Sequence, residues 1–146
     1  MDPRNEAVLR YLEVERVAPL GTDAAWVIDG YSLATHPDLC DRVAEVNAAA
    51  GTAAKLRYLY GKPALVAANG VIVAFGGGTY VFAVRLPRNQ VDPGLLGAIK
   101  NDAPKLEVLT GRGWTLVDAW AVELPRAEGL KQLAALIVRA VETAAA

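Results

Sequence analysis

The dipeptide Asn69-Gly70 stands between two apolar runs, residues 64–68 and 71–75, and it constrains the fold more than any other feature of the sequence. Asn and Gly accept the positive φ angles that tight hairpin turns require. A third run, residues 79–86, is rich in Val, Tyr and Phe; it follows the glycines 76–78 and ends before Pro87. We therefore predict three consecutive antiparallel strands, a β-meander, with turns at 69–70 and 76–78.

The stretch before the meander changes to a period of two. Leu56, Tyr58 and Tyr60 fall on one face of an extended chain, and Lys55, Arg57 and Leu59 fall on the other. This alternation is typical of a half-exposed strand, here with a basic polar face. Two further strands, residues 106–109 and 114–120, are predicted on either side of a turn at 111–113.

Helices are predicted where capping residues precede apolar residues in helical spacing. The first begins at Asp2 and Pro3 and ends near Pro19. A second is capped by Thr35 or His36 and ends before Gly51. A brief helix over 92–101 and a long final helix that opens at Pro125 and covers the sheet complete the set.

These elements predict one α+β domain with a central antiparallel sheet and flanking helices. Residues 1–35 form an N-terminal extension with a helix and a hairpin that turns at Asp29-Gly30, and residues 36–146 form the main domain. The length of 146 residues fits one such domain. No apolar run reaches the roughly 18 to 20 residues that a membrane span needs. Cys40 is the only cysteine, which excludes an internal disulfide and favours a cytosolic location.

Candidate catalytic and metal-binding residues are few. Cys40 and His36 do not supply a zinc ligand set, and we predict no metal and no cofactor. The glycines 76–78 precede a strand rather than a helix, so a hairpin turn is favoured over a phosphate-binding loop. His36 is interpreted as a surface or capping residue, and Asp29 and Asp118 as solvated carboxylates. No nucleophile has an assigned partner, so we predict no catalytic residue and a non-enzymatic protein.

The net charge of −1 hides a basic middle segment. Residues 1–54 carry four Lys or Arg against nine Asp or Glu, whereas residues 55–112 carry eight against three. This asymmetry fits either an anion-binding face or two surfaces that attract each other within the fold. If the basic side chains on or beside the sheet converge, they would contact the phosphates of DNA. The candidate DNA-binding residues are Lys55, Arg57, Lys62, Arg85, Arg88 and Arg112.

A family resemblance covers about residues 36–144, roughly three-quarters of the chain. It lies in the segment 60–65 (Tyr-Gly-Lys-Pro-Ala-Leu), the Asn69-Gly70 turn, residues 84–87 (Val-Arg-Leu-Pro), residues 113–118 (Gly-Trp-Thr-Leu-Val-Asp) and the closing helix through 139–142. These patterns resemble the MmcQ/YjbR-like family, which is related to the amino-terminal domain of TfoX-type competence regulators. The resemblance implies a compact α+β domain of double-wing type and a DNA-binding protein without enzyme activity.

Two functional hypotheses follow from the sequence. The first is a bacterial-type cytosolic DNA-binding or regulatory module that contacts phosphates through its basic sheet face. The alternative is a protein-interaction or small-ligand-binding module with no nucleic-acid role. It would be homodimeric through the edge of the meander or through the last helix.

Overall fold

The fold is built on a five-stranded antiparallel sheet with helices on both faces. The computed structural model describes residues 2–14, 27–28, 31–32, 36–97, 109 and 112–146. The helices are α1 (Glu6–Val14), α2 (Pro37–Ala50) and α3 (Arg126–Ala145). The strands are β1 (Val27–Ile28), β2 (Tyr31–Ser32), β3 (Lys55–Leu59), β4 (Lys62–Val66), β5 (Ile72–Gly77), β6 (Val81–Val84) and β7 (Thr115–Asp118). Strands β3 to β7 lie side by side in chain order, and the predicted α+β class is confirmed.

The start of α1 and the β1–β2 hairpin agree with the sequence prediction. The Asp2 carboxylate accepts the backbone N–H of Arg4 at 2.8 Å and caps a 3-10 turn, Pro3–Asn5, which leads into α1. The predicted helix end near Pro19 lies outside the described residues. Strands β1 and β2 pair antiparallel, as predicted, and their turn residues Asp29 and Gly30 also lie outside the described residues.

Helix α2 is delimited by the residues that the sequence indicates. His36 Nδ1 accepts the backbone N–H of Asp38 at 3.1 Å, Pro37 occupies the first turn, and Gly51 ends the helix with φ 64°. Gly51 tolerates this left-handed conformation because it has no Cβ. The capping role of His36 is confirmed.

Helix α2 and strand β3 bring the Cys40 thiol and the Tyr58 phenol together. Burial raises the pKa of Tyr58 to about 12, and the neighbouring Cys40 adds to this shift. Burial likewise raises the pKa of the Cys40 thiol. Both groups are therefore held in their neutral forms in the folded state.

A pH dependence of stability follows from the raised pKa of Tyr58. A tyrosine ionises near pH 10 in the unfolded chain but near 12 here, so its stabilising contribution is complete below about pH 10 and is lost between about pH 10 and pH 12. We expect the Tyr58→Phe variant to lose less stability than the parent over that window. Urea unfolding at pH 9, 10 and 11 measures the difference, and parallel pH profiles would contradict the prediction.

The hairpin turns of the meander differ from the sequence prediction in two places. Leu59 pairs with Lys62, so Tyr60 (φ 53°) and Gly61 (φ 86°) form a two-residue turn, and the predicted extension of β3 through Tyr60 is wrong. The Asn69-Gly70 turn is confirmed: Gly70 has φ 86° and the Ala67 N–H donates to the Val71 carbonyl at 2.8 Å.

The second difference concerns the glycines 76–78. Gly76 and Gly77 belong to β5, Gly78 (φ 66°) follows them, and the turn itself is formed by Thr79 and Tyr80, which were predicted to begin the next strand. A Cβ on Gly76 would lie 3.0 Å from Cγ2 of Val43 in α2 and 3.3 Å from Cγ of Pro63. The glycine is therefore a point of close approach between helix and sheet, which a local turn argument does not reveal.

The two faces of the sheet bury different clusters. Helices α2 and α3 pack against each other and cover one face, where Phe82 and Val117 meet Leu136. The predicted covering role of α3 is confirmed. On the other face α1 contributes Val8 and Leu12. That face is closed by the shorter helix.

The segment between β6 and α3 departs most from the predictions. The helix predicted over 92–101 is a 3-10 turn, Pro93–Leu95, within the described residues, and 98–101 lie outside them. Leu109 is helical rather than extended, and 106–108 lie outside the described residues. Strand β7 ends at Asp118, where the sequence predicted a longer strand and a solvated carboxylate.

Asp118 is 4% exposed, so the prediction that it is solvated is wrong. Its carboxylate accepts the backbone N–H of Trp120 at 3.0 Å and that of Val122 at 3.4 Å. These bonds satisfy the donors of the turn that ends β7.

None of the described helices combines the length and the apolar composition that a membrane crossing requires.

Candidate anion-binding groove

A groove of about 780 Å³ lies on the α1 face of the sheet. Its walls come from the 3-10 turn Pro3–Asn5, from α1, from the end of β6 and from the residues just before β7. Four of the lining residues are arginines: Arg4, Arg10, Arg85 and Arg112. The groove therefore combines segments that are far apart in sequence.

One wall of the groove is apolar. Ala7, Tyr11 and Val14 follow one another at spacings of four and three along α1, so they share one face of the helix. Val14 is 76% exposed although it is a large apolar residue. Trp114, whose side chain is buried, closes the groove on the side of the sheet. This arrangement leaves apolar surface available to a bound molecule.

Arg85 is held in the groove by two hydrogen bonds and an aromatic contact. Its guanidinium lies 4.7 Å from the centre of the Trp114 ring, a cation–π distance. Its Nε donates to the Ile72 carbonyl at 2.7 Å, and its Nη2 donates to Oδ1 of Asn5 at 3.4 Å. Burial lowers the pKa of Arg85, with the nearby Arg4 adding to the effect. The side chain nevertheless stays charged, because an arginine pKa begins far above neutrality.

The charges that line the groove do not cancel. Arg4 Nη2 lies 3.2 Å from the Asp2 carboxylate, and the Arg4 hydrogen bonds lower the pKa of Asp2. Arg10 Nη2 lies 2.9 Å from the Glu6 carboxylate, one helical turn away. Within the described ranges neither Arg85 nor Arg112 has such a carboxylate partner. Within the described residues these two arginines therefore have no ion-pair partner, although the Asp2 carboxylate acts electrostatically on Arg85.

Asn5 fixes the position of the N-terminal segment over the groove. The residue is fully buried, its amide donates to the Gly70 carbonyl at 2.8 Å, and its Oδ1 accepts the Ile72 N–H at 2.8 Å. Because Asn5 also contacts Arg85, the docking of α1 and the orientation of the groove cation depend on the same side chain.

The structure brings only part of the predicted DNA-binding set together. Arg85 and Arg112 both line the groove. Lys62 is 6% exposed, with its Nζ 5.3 Å from the centre of the Tyr11 ring, so it is withdrawn from the surface. Arg88 is exposed in the 3-10 turn Arg88–Gln90 and does not line the groove.

Lys55 and Arg57 are exposed on β3, which is an edge strand of the five-stranded sheet. They share a strand face with Leu59, which packs in the α1-side cluster. Both cations therefore lie on the same side of the sheet as the groove.

Sequence reasoning did not identify Arg4, Arg10, Asn5 and Tyr11 as site residues. The sequence prediction describes residues 1–35 only as an N-terminal extension, and this stretch carries more acidic than basic residues. The signal that was present is local: Glu6 and Arg10 form a pair four residues apart, next to the apolar stripe that contains Tyr11. In this pair the Glu6 carboxylate neutralises the Arg10 guanidinium, so the pair adds no net charge to the groove.

The tryptophans and the potential metal ligands are the remaining candidate functional residues. Trp114 packs in the core, Trp120 is 39% exposed, and Trp26 lies outside the described residues. In the part of the chain that the structure describes, no cluster of three or more His, Cys, Asp or Glu is arranged to hold a metal ion.

The chain is thus an α+β protein whose five-stranded antiparallel sheet carries an amphipathic groove on one face. Comparisons with protein-family models, curated proteins and solved structures return no match.

Proposed function

We propose that this protein is a non-enzymatic binding module that takes a small anionic ligand in the groove between α1 and the sheet. The observation that carries the proposal is the pair of arginines, Arg85 and Arg112, which have no carboxylate ion-pair partner among the described residues and lie beside an apolar wall. Ligand sites are typically concave, mostly apolar and supplied with a few convergent polar groups, with volumes of roughly 300 to 1,000 Å³. The groove meets each of these criteria. A cytosolic location belongs to the same proposal and rests on the lone Cys40.

Substitution of Arg112 tests this function, because Arg112 is exposed and lines the groove. We expect the Arg112→Gln variant to bind the fluorescent anion 1-anilinonaphthalene-8-sulfonate about tenfold more weakly than the parent, since one charge-assisted contact is lost. Fluorescence titration at low salt measures the affinity.

The matched control for this experiment is Arg88→Gln, which removes the same charge from an exposed position outside the groove. Its affinity should equal that of the parent. Circular dichroism establishes that both variants keep the native structure. Absence of saturable binding to the parent, or equal weakening by the two substitutions, would exclude the groove as the site.

DNA binding is the second candidate function. It is favoured by Lys55 and Arg57, which are exposed on edge strand β3 on the groove side of the sheet. The resemblance to the MmcQ/YjbR-like family supports it, because members of that family are usually described as DNA-binding proteins. This function would use the outer rim of the sheet rather than the groove.

Salt-dependent binding to duplex DNA tests the second candidate. If Lys55 and Arg57 each contact a phosphate, the double variant Lys55→Ala/Arg57→Ala should reduce the slope of log affinity against log salt by about 2. Fluorescence anisotropy measures the slope, with Lys131→Ala as a control on the exposed surface of α3. No binding of the parent at low salt would remove this candidate and leave the groove proposal intact.

A further inference from the structure

We infer that the ligand of the groove is a phosphate monoester that carries an apolar body. This inference rests on the proposed function and narrows it from anions in general to one chemical class. It follows from the two groove arginines that form no ion pair with the described residues, from the hydrogen-bonding state of Arg85 and from the shape of the apolar wall.

The charge of the ligand follows from the balance of the groove. The Arg4 and Arg10 side chains each form an ion pair with a carboxylate of the same N-terminal segment, whereas Arg85 and Arg112 form none with the residues that the structure describes. A monoanion such as a carboxylate would compensate one of these two cations and leave the other unpaired. A phosphate monoester has a second pKa near 6 and is close to a dianion at neutral pH. It matches both arginines.

The geometry of Arg85 favours a phosphate group as the acceptor. Its Nε and Nη2 already donate to the Ile72 carbonyl and to Asn5, and its guanidinium lies over the Trp114 ring. Its Nη1 makes no hydrogen bond within the described residues, although the side chain lines the groove. A guanidinium held in this way has little conformational entropy to lose on binding an oxyanion. Phosphate offers several acceptor oxygens, so it can contact Arg85 and Arg112 together.

The wall of α1 requires an apolar body on the ligand. Ala7, Tyr11 and Val14 form a continuous stripe beside the cations, and Val14 is largely exposed. Inorganic phosphate would leave this stripe in contact with water and gain nothing from it. A volume of about 780 Å³ accommodates a two-ring aromatic group or an alkyl chain beside the phosphate. The body is therefore either aromatic, as in a nucleotide-like ester, or aliphatic, as in a lipid-like ester.

Calorimetric titration of the full-length chain with matched anions tests the inference. The probes are 1-naphthyl phosphate, 1-naphthoate, inorganic phosphate and dodecyl phosphate below its micellar concentration, all at pH 7.5 and low salt. We expect 1-naphthyl phosphate or dodecyl phosphate to bind at least about tenfold more tightly than both 1-naphthoate and inorganic phosphate. The tighter of the two esters identifies the aromatic or the lipid-like body.

Two further titrations test whether the preference for the phosphate ester depends on charge rather than on apolar contact alone. The preference for 1-naphthyl phosphate over 1-naphthoate should shrink to about threefold or less at pH 5, where the ester carries one charge. It should shrink similarly in Arg112→Gln at pH 7.5, whereas Arg88→Gln keeps the full preference.

The outcomes distinguish this inference from the proposed function. If 1-naphthoate or inorganic phosphate binds as tightly as the esters, the phosphate-ester class is wrong, while an anion-binding groove stands. If no anion binds, including 1-anilinonaphthalene-8-sulfonate, the proposed function fails with it.

Discussion

Replacement of Asn5 by alanine is expected to lower the free energy of unfolding by about 3 kcal/mol. Asn5 is fully buried and joins the N-terminal segment to the sheet through the Gly70 carbonyl and the Ile72 N–H. Alanine removes both partners at once and leaves a backbone acceptor and a backbone donor unsatisfied. Each such loss costs about 1 to 3 kcal/mol, which sets the size of the effect. Equilibrium urea unfolding measures it.

Asn47 provides a matched control for the Asn5 substitution. Its amide donates to the Ala54 carbonyl at 3.3 Å, but its Oδ1 is buried without a partner in the described residues. Alanine at this position removes an unsatisfied atom and improves helix propensity within α2, so the Asn47→Ala variant should change stability by less than about 1 kcal/mol. Equal losses in the two variants would show that Asn5 is not the anchor of α1.

Undocking of the N-terminal segment also predicts a loss of ligand binding in Asn5→Ala. Arg85 would lose one of its hydrogen bonds, and the α1 wall would no longer be held against the sheet. The variant should therefore bind 1-anilinonaphthalene-8-sulfonate less tightly under conditions in which it is fully folded. Unchanged affinity would separate the groove from the anchoring role of Asn5.

Truncation of Phe75 to alanine is expected to cost about 4 kcal/mol, the larger of these two effects. Phe75 is 1% exposed, and its ring lies 5.7 Å from that of Tyr11 and 5.6 Å from that of Trp114. It therefore supports both aromatic side chains that line the groove. The substitution removes buried apolar area and opens a cavity directly beneath the site. Urea unfolding measures the loss of stability.

Phe82 separates the general cost of a core cavity from an effect on the groove. It is as deeply buried as Phe75 but lies in the cluster formed with α2 and α3, on the opposite face of the sheet. Phe82→Ala should lose a similar amount of stability and keep the affinity of the parent for 1-anilinonaphthalene-8-sulfonate. Phe75→Ala should lose both. Equal affinities in the two variants would contradict the assignment of the groove wall.

The sequence signals that succeeded are those in which the determining atoms lie a few residues apart. The cap at His36, the ending at Gly51 and the turn at Gly70 each depend on one residue's own side chain or φ angle. The predictions that were wrong concern residues whose environment depends on another element of the fold. The sequence places Gly76 in a glycine turn, whereas in the structure it lies in β5, where α2 approaches it closely. The sequence also predicts a solvated Asp118 carboxylate, whereas the turn that follows β7 donates hydrogen bonds to it.

The groove could not have been predicted from the composition of its segments. Arg85 and Arg112 belong to the basic middle of the chain, whereas Arg4 and Arg10 belong to an N-terminal stretch with an excess of acidic residues. The net charge of a segment does not indicate which of its cations are neutralised. That depends on pairs such as Arg10 with Glu6, whose geometry appears only in the folded helix.

The sequence by itself determined the α+β class, the antiparallel meander and the limits of α2, because hydrophobic period, capping and turn chemistry act over a few residues. Tertiary structure decided which face α1 covers and which of the candidate cations remain at the surface. It buried Lys62 against the Tyr11 ring, placed the Arg85 guanidinium over the Trp114 ring and placed Arg112 in the lining of the same groove. These outcomes depend on contacts between segments far apart in the chain. For that reason the four groove arginines come together only when the N-terminal segment is docked on the sheet.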